Sequence, residues 1–202
     1  MENKAWQLGA PGTVIYELFD SLRKNLNRKL VTYLLGSRGD CRSMVVLEAG
    51  SGPAYASSLF SSDSRVDLAV AIDIDHEALS QARKRDPKLC LVVADLNNLP
   101  FRNGCVELSW NSSTLEHLDC PSDALCEMHR VTRSGGSVFV GVPNLYGPLG
   151  FQKFIQDTST GTWIGKTYSC SELTEMMKNA DLKPKDSINY FFRFFVGVLA
   201  EK

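Results

Sequence analysis

Apolar positions along the chain follow two alternating rhythms. Short, nearly unbroken apolar runs rich in β-branched residues occupy Met44–Leu47, Val66–Ile74, Leu89–Ala94, Val106–Trp110 and Ser137–Val142. Such runs predict strands covered on both faces. Between them the spacing turns helical. Thr13–Leu35 carries Val14, Leu18, Leu22, Leu26 and Leu30 on one side. Tyr55–Phe60 can begin a second helix, and Asp75 can cap a third that runs to Arg85, with Pro87 beyond it. Pro121–Arg133 places Leu125, Met128 and Val131 together, and Gly135-Gly136 is expected to end that helix. Strand followed by helix, five times over, predicts a doubly wound α/β fold: a parallel sheet with helices on both faces.

Past Val142 the rhythm changes. Ser169 and Glu172 have capping-box spacing for a helix through Ala180, with Leu173, Met176 and Met177 inward. The runs Ser187–Phe195 and Phe195–Ala200 are too close for a crossover, so they predict an antiparallel hairpin. Tyr146–Thr167 has little periodicity apart from Phe151–Ile155. It reads as a loop with a short helix over the carboxyl edge of the sheet.

Composition narrows the picture. A chain of 202 residues suits one domain with a sizeable core. It divides into an arm and helix over 1–40, a core over 43–144, a lid-like insert over 145–168 and a helix with hairpin over 169–202. The net charge of -1 gives no basic field to draw nucleic acid. Arg23, Lys24, Arg28 and Lys29 then read as a solvated helix face. No apolar run reaches the length of a membrane span, and the N-terminus lacks a secretory pattern. Six cysteines without a Cys-x-x-Cys pair read as reduced thiols in a cytoplasmic protein. The spacing of Cys120, Cys126 and His129 matches no zinc pattern.

The candidate chemistry gathers at strand ends. Glu48, Asp73 and Asp95 each close a predicted strand. Gly50 and Gly52 follow the first of these and allow a tight turn with close backbone approach to a ligand. Asp73 lies 21 positions after Gly52, a separation suited to an acid that accepts bonds from ribose hydroxyls. A dinucleotide fingerprint would want a small residue where Tyr55 stands, and Gly-Lys-Ser/Thr is missing. A ligand with a ribose but no phosphate therefore fits best.

These residues reach a family. Leu-Glu-Ala-Gly-Ser-Gly-Pro, Ala-Ile-Asp-Ile-Asp, Val-Ala-Asp-Leu-Asn-Asn-Leu-Pro-Phe, Ser-Ser-Thr-Leu-Glu-His-Leu and Glu-Met-His-Arg-Val-Thr-Arg-Ser-Gly-Gly occur in order. Together they make the chain resemble the class I S-adenosylmethionine-dependent methyltransferases, in particular the small type 11 group. The resemblance is close over Val45–Asn144 and looser to Lys202. It implies a seven-stranded, Rossmann-like sheet in the order 3-2-1-4-5-7-6, with five parallel strands and a C-terminal antiparallel hairpin. It also implies S-adenosylmethionine as cofactor. Gly50 and Gly52 would line its methionine portion and ribose, with Glu48 supporting that turn. Asp73 would hold the ribose hydroxyls, and Ile74 would pack on the adenine. Asp95 and the backbone of Leu96 would meet the adenine edge, and Asn111 would line the methionine end.

The chain departs from the family pattern at Glu107, where Asp is usual, and at Arg133-Ser134. Some quinone-type relatives bind a divalent metal through Glu, then Glu-His. Here Ser113 precedes Glu116-His117, so no metal is expected. Glu116 and His117 can be helix-start structure, or His117 a base. The acceptor is expected to be a small metabolite or lipid-like, read by aromatics outside the core: Trp6, Tyr16, Phe19, Tyr146, Phe151, Phe154 and Trp163. A non-catalytic cofactor-binding module or partner subunit is the alternative. An aminopropyl transferase is less favoured, because Asn111-Ser112-Ser113 offers no acid to orient an amine.

Overall fold

The computed structural model describes residues 14–148, 150 and 165–202, and for 14–20, 22 and 23 the backbone only. Five α-helices are described: α1 (Val14–Ser37), α2 (Tyr55–Phe60), α3 (His76–Arg85), α4 (Pro121–Val131) and α5 (Cys170–Asn179). They alternate with β1 (Met44–Ala49), β2 (Val66–Asp73), β3 (Cys90–Val93), β4 (Val106–Ser112), β5 (Thr132–Pro143), β6 (Lys183–Tyr190) and β7 (Phe195–Glu201). The strands form one seven-stranded sheet in the order β3-β2-β1-β4-β5-β7-β6. The first five are parallel, and β7 runs antiparallel to both β5 and β6. This is the order that the family resemblance implies.

Period-two alternation along the strands builds two core layers. Leu47, Val70, Ile72, Val138, Val140 and Val198 face the side covered by α4 and α5, meeting Leu125, Met128, Leu173 and Met177. Met44, Val46, Ala69, Leu108, Trp110 and Phe139 face the opposite side, against Leu30, Val31 and Leu34 of α1 and Phe60 of α2. Trp110 anchors this second layer. Its ring meets Phe60 edge-on at 5.6 Å and Phe139 at 5.5 Å. Removing a ring so enclosed costs about 3–5 kcal/mol.

Local chemistry explains most boundaries. Asp75 accepts from the amides of Glu77 and Ala78 to start α3. Ser169 and Glu172 complete the expected capping box at α5. Glu107 accepts from the Val45 amide at 2.5 Å and pairs with Arg133 at 3.2 Å. The longer acid thus ties β4 to β1 and to the start of β5.

Four boundaries move from their expected places. Helix α1 continues through Gly36-Ser37 instead of ending at Leu35. Strand β3 is only Cys90–Val93. Helix α4 stops at Val131, not Arg133, because Thr132 already pairs with Val106. Gly135-Gly136 consequently lies inside β5, at a register irregularity, and caps no helix. Strand β6 spans Lys183–Tyr190 rather than Ser187–Phe195. Its exposed edge alternates polar and half-buried positions, so apolar runs did not mark its start. The expected short helix at Phe151–Ile155 lies outside the described residues, as do Trp6, Phe154 and Trp163. Among the described residues no helix is long and apolar enough to cross a membrane.

Candidate functional site

Parallel pairing brings the carboxyl ends of β1, β2, β3 and β4 to one edge of the sheet. There the chain turns sharply after Ala49. The amides of Gly50 and Ser51 both donate to the Ile72 carbonyl, at 2.9 and 2.8 Å. Gly50 and Gly52 have φ of +72° and +49°, in the left-handed region where glycine carries no Cβ penalty. A Cβ on Gly50 would also lie 2.5 Å from the Thr114 side chain. A Cβ on Gly52 would face open space, so that turn presents bare backbone outward.

Carboxylates organise this loop. Asp73, half-buried at the end of β2, accepts from the Gly52 amide at 2.6 Å through one oxygen and from the Asp75 amide at 2.8 Å through the other. Glu48 is buried, and one of its oxygens accepts from the Ser57 amide in α2 at 2.6 Å. Burial pushes its pKa up to about 7, opposed by hydrogen bonds from Ser57 and Ala56 and by the Arg85 charge. Glu48 thus acts on α2, behind the glycine turn.

Ile74 projects beside Asp73, and its side chain is 72% exposed. An isolated apolar side chain held in solvent at a sheet's carboxyl edge offers a wall for a flat ring. Asp95 is exposed and accepts from the Asn97 amide at 2.9 Å. Leu96 is buried. Their loop is pinned from α4: Glu127 accepts from the Leu99 amide at 2.7 Å, and Arg130 donates to the carbonyls of Leu99 and Phe101. Asn111, fully buried at the end of β4, donates to the Ala49 carbonyl at 2.7 Å, while its Oδ1 has no partner. Glu48, Gly50, Gly52, Asp73, Ile74, Asp95, Leu96 and Asn111 therefore all gather at or just behind one edge.

Three further residues shape this edge. Thr114 donates to the Gly50 carbonyl at 2.9 Å. Arg85, in the last turn of α3, donates to the carbonyls of Pro53 and Ala54 at 2.6 and 3.1 Å and lies 4.2 Å from the Tyr55 ring centre. Thr114 lies within the Ser-Ser-Thr-Leu-Glu-His-Leu motif, but the resemblance assigns it no role there, and Arg85 has no sequence signal. Glu116 follows β4 in a 3-10 turn, Leu115–His117. It is 3% exposed, its Oε2 has no partner, and burial pushes its pKa up to about 8.

Comparison with known proteins follows the same outline. Residues 47–140 match a family model described as a methyltransferase domain. A Mycolicibacterium smegmatis protein named as a probable S-adenosylmethionine-dependent methyltransferase is 28% identical over 153 residues, covering 75% of this chain and 56% of that protein. A malonyl-acyl-carrier-protein O-methyltransferase of Hamiltonella defensa is 30% identical over 123 residues, covering 61% and 45%. The chain thus spans about half the length of these curated relatives. Among solved structures, a methyltransferase from Thermotoga maritima superposes with a TM-score of 0.71 at 18% identity, covering 89% of each chain. Geranyl diphosphate C-methyltransferase of Streptomyces coelicolor superposes with a TM-score of 0.69 at 17% identity, covering 96% of this chain and 88% of that one. That enzyme was solved with S-adenosyl-L-homocysteine bound.

Proposed function

We propose that the chain, whose residues 47–140 match a methyltransferase-domain model, is a class I S-adenosylmethionine-dependent methyltransferase of the type 11 group that moves a methyl group to a small or lipid-like acceptor. The observation that carries the proposal is the glycine turn. Its backbone faces outward at Gly52, and the Asp73 carboxylate is fixed beside it by two amides. That pairing fits a ligand with a ribose and no phosphate: a carboxylate accepts from hydroxyls and repels an anion.

The chain's own residues fit the cofactor. Asp73 would receive the ribose hydroxyls on lone pairs that the two amides leave free. Exposed Ile74 would cover one face of the adenine. Asp95 would accept from its exocyclic amine, beside the Leu96 backbone. Asn111, with Oδ1 unpartnered, would meet the polar methionine end past Gly50. When bound, S-adenosylmethionine supplies a methyl already activated on a sulfonium, so the protein contributes chiefly alignment and exclusion of water.

Two related enzymes support a chain-bearing acceptor, since their names specify malonyl-acyl-carrier protein and geranyl diphosphate. Tyr146, 77% exposed beyond β5, would lie at the mouth of such a site, where an aromatic adds apolar area at little entropy cost. The test is calorimetry with S-adenosylmethionine, followed by release of S-adenosylhomocysteine across a panel of metabolite, acyl and prenyl acceptors with labelled cofactor. Binding without turnover on every acceptor would favour a cofactor-binding module instead.

A further inference from the structure

Glu116 is a buried acid that the cofactor geometry does not use. Its turn is roofed by the chain returning toward α5: the Lys166 amide donates to the Glu116 carbonyl at 3.0 Å. Gly165 packs so closely that a Cβ there would lie 2.8 Å from His117 Nδ1 and 3.0 Å from Glu116 Cγ. Three titratable side chains of the described residues act near it. His117 Nε2 is 4.0 Å from Oε1, but burial pushes the imidazole pKa down, which disfavours its cation. Tyr168 and Tyr190 both have pKa values raised by burial and by a charge on Glu116. Tyr190 is further tied through its hydroxyl to Ser112 at 3.0 Å. No lysine or arginine of the described residues pairs with Glu116, and Oε2 is left without any donor.

A buried carboxyl with an idle oxygen is costly. Glu116 itself lies two residues after Thr114, which closes on Gly50, and five after Asn111, which closes on Ala49. Glu116 is thereby held at the β4 side of the glycine turn, where the methionine end of the cofactor is proposed to lie.

We propose that Glu116 receives the acceptor: Oε2 accepts a hydrogen bond from a neutral hydroxyl or amine, and takes its proton as the methyl is transferred. The inference rests on the methyltransferase reading. In the step, a lone pair on the acceptor's oxygen or nitrogen forms the bond to the methyl carbon. The carbon–sulfur bond breaks with its pair staying on sulfur, and the acceptor's proton passes to the Glu116 carboxylate. One negative and one positive charge are cancelled, so the buried site ends neutral. A carboxylate acceptor would need no base and would be repelled by an ionised Glu116.

The test is nuclear magnetic resonance of carboxyl-labelled glutamate, with the Glu116 signal identified by its loss in Glu116→Gln. The titration midpoint of Glu116 is compared between complexes with S-adenosylmethionine and S-adenosylhomocysteine, which differ by one positive charge at the reacting sulfur. A carboxyl facing that sulfur titrates about one pH unit lower in the first complex. In the second complex, added 4-methylphenol moves the Glu116 signal and 4-methylbenzoate does not. Equal midpoints in the two complexes, or no response to the phenol, would overturn the proposal. Failure of both cofactor forms to bind would instead defeat the methyltransferase reading. With an acceptor in hand, kcat should rise with pH through the Glu116 midpoint in the parent and lose that rise in Glu116→Gln.

Discussion

The acids at the ends of β1 and β2 and the acid after β4 live in opposite circumstances. Asp73 spends each oxygen on a backbone amide, and Glu48 spends one on the start of α2. Their half of the edge is wired by short local bonds, and the loop is clamped from outside by Arg85. Glu116, across β4, is as buried as Glu48 yet has an oxygen with no donor. Beyond it the hairpin turn between β6 and β7 holds Phe191, Phe192 and Arg193 at φ of +51°, +51° and +65°. The first half is braced by these bonds and leaves Asn111 Oδ1 unpartnered, and the other carries a buried acid with an idle oxygen and backbone strain. A cofactor common to a whole family can be met by a finished site. An acceptor particular to one protein is met by groups that stay incomplete until it arrives.

The comparison breaks most sharply at Gly52. Gly52→Val should reduce S-adenosylmethionine affinity by more than roughly 100-fold, because a branched side chain would fill the open space that the backbone faces. Its cost to the fold should be only about 1–2 kcal/mol, that of a left-handed non-glycine residue. Calorimetry and thermal melts read the two separately, and unchanged affinity in a folded variant would place the cofactor elsewhere. Asp73→Asn comes next. It keeps the shape but removes the charge, and should weaken cofactor binding by about 1.5–3 kcal/mol. If the loss appears in melting temperature and not in affinity, Asp73 only braces the loop.

Legibility in the sequence followed the same division. The strand-end acids and the glycine turn could be found because each closes an apolar run within a recognisable motif, and part of their bonding is local: Asp73 accepts from the Asp75 amide two residues on, and Asp75 caps its own helix. The β7–β6 hairpin was readable from a gap too short for a crossover. Thr114 and Arg85 were not readable, since one reaches 64 and the other 31 or 32 residues along the chain to a carbonyl. Such a bond leaves no periodic trace. The α4–β5 boundary failed for a related reason. Gly135-Gly136 looks like a helix stop, but pairing of Thr132 with Val106 claims that segment for the sheet, a tertiary decision that local propensity cannot foresee. Glu116 stood out only as part of a motif, and its unpartnered oxygen is visible in three dimensions alone.

Glu116→Gln sharpens the contrast through pH. Burial raises the folded-state pKa of Glu116 from 4.5 to about 8 and that of Glu48 to about 7. Each folded carboxyl holds its proton more tightly than in the unfolded chain. Below pH 4.5 neither group affects the balance. As pH rises the unfolded state loses these protons first, so stability falls, for Glu48 until about pH 7 and for Glu116 until about pH 8. Melting temperature should therefore decline between about pH 5 and 8 in the parent. Glu116→Gln should flatten most of that decline, leaving the smaller Glu48 share. A variant with the parent's full slope would mean that Glu116 is solvated.

The smallest expected effect comes from the strained turn. Phe192 is 83% exposed, so its ring buries little, while its φ of +51° is unfavourable for a residue with a Cβ. Its ring touches only Phe191 among the described aromatics, at 6.0 Å between centres. Glycine at this position loses that weak contact and relieves the left-handed penalty. It also makes the unfolded chain more flexible, which offsets part of the gain. Phe192→Gly should therefore stabilise the fold by about 0.5–1 kcal/mol, roughly 1–4 °C in melting temperature for a chain of this size. Cofactor affinity should stay within about 0.5 kcal/mol, since Phe192 and the glycine turn share no contacts. If the strain serves the acceptor half, transfer to an apolar acceptor falls while stability rises, the trade expected where a costly conformation is kept for use. Destabilisation on removing the ring would show that Phe192 packs more than its exposure allows, and the turn would then belong with the braced half of the molecule.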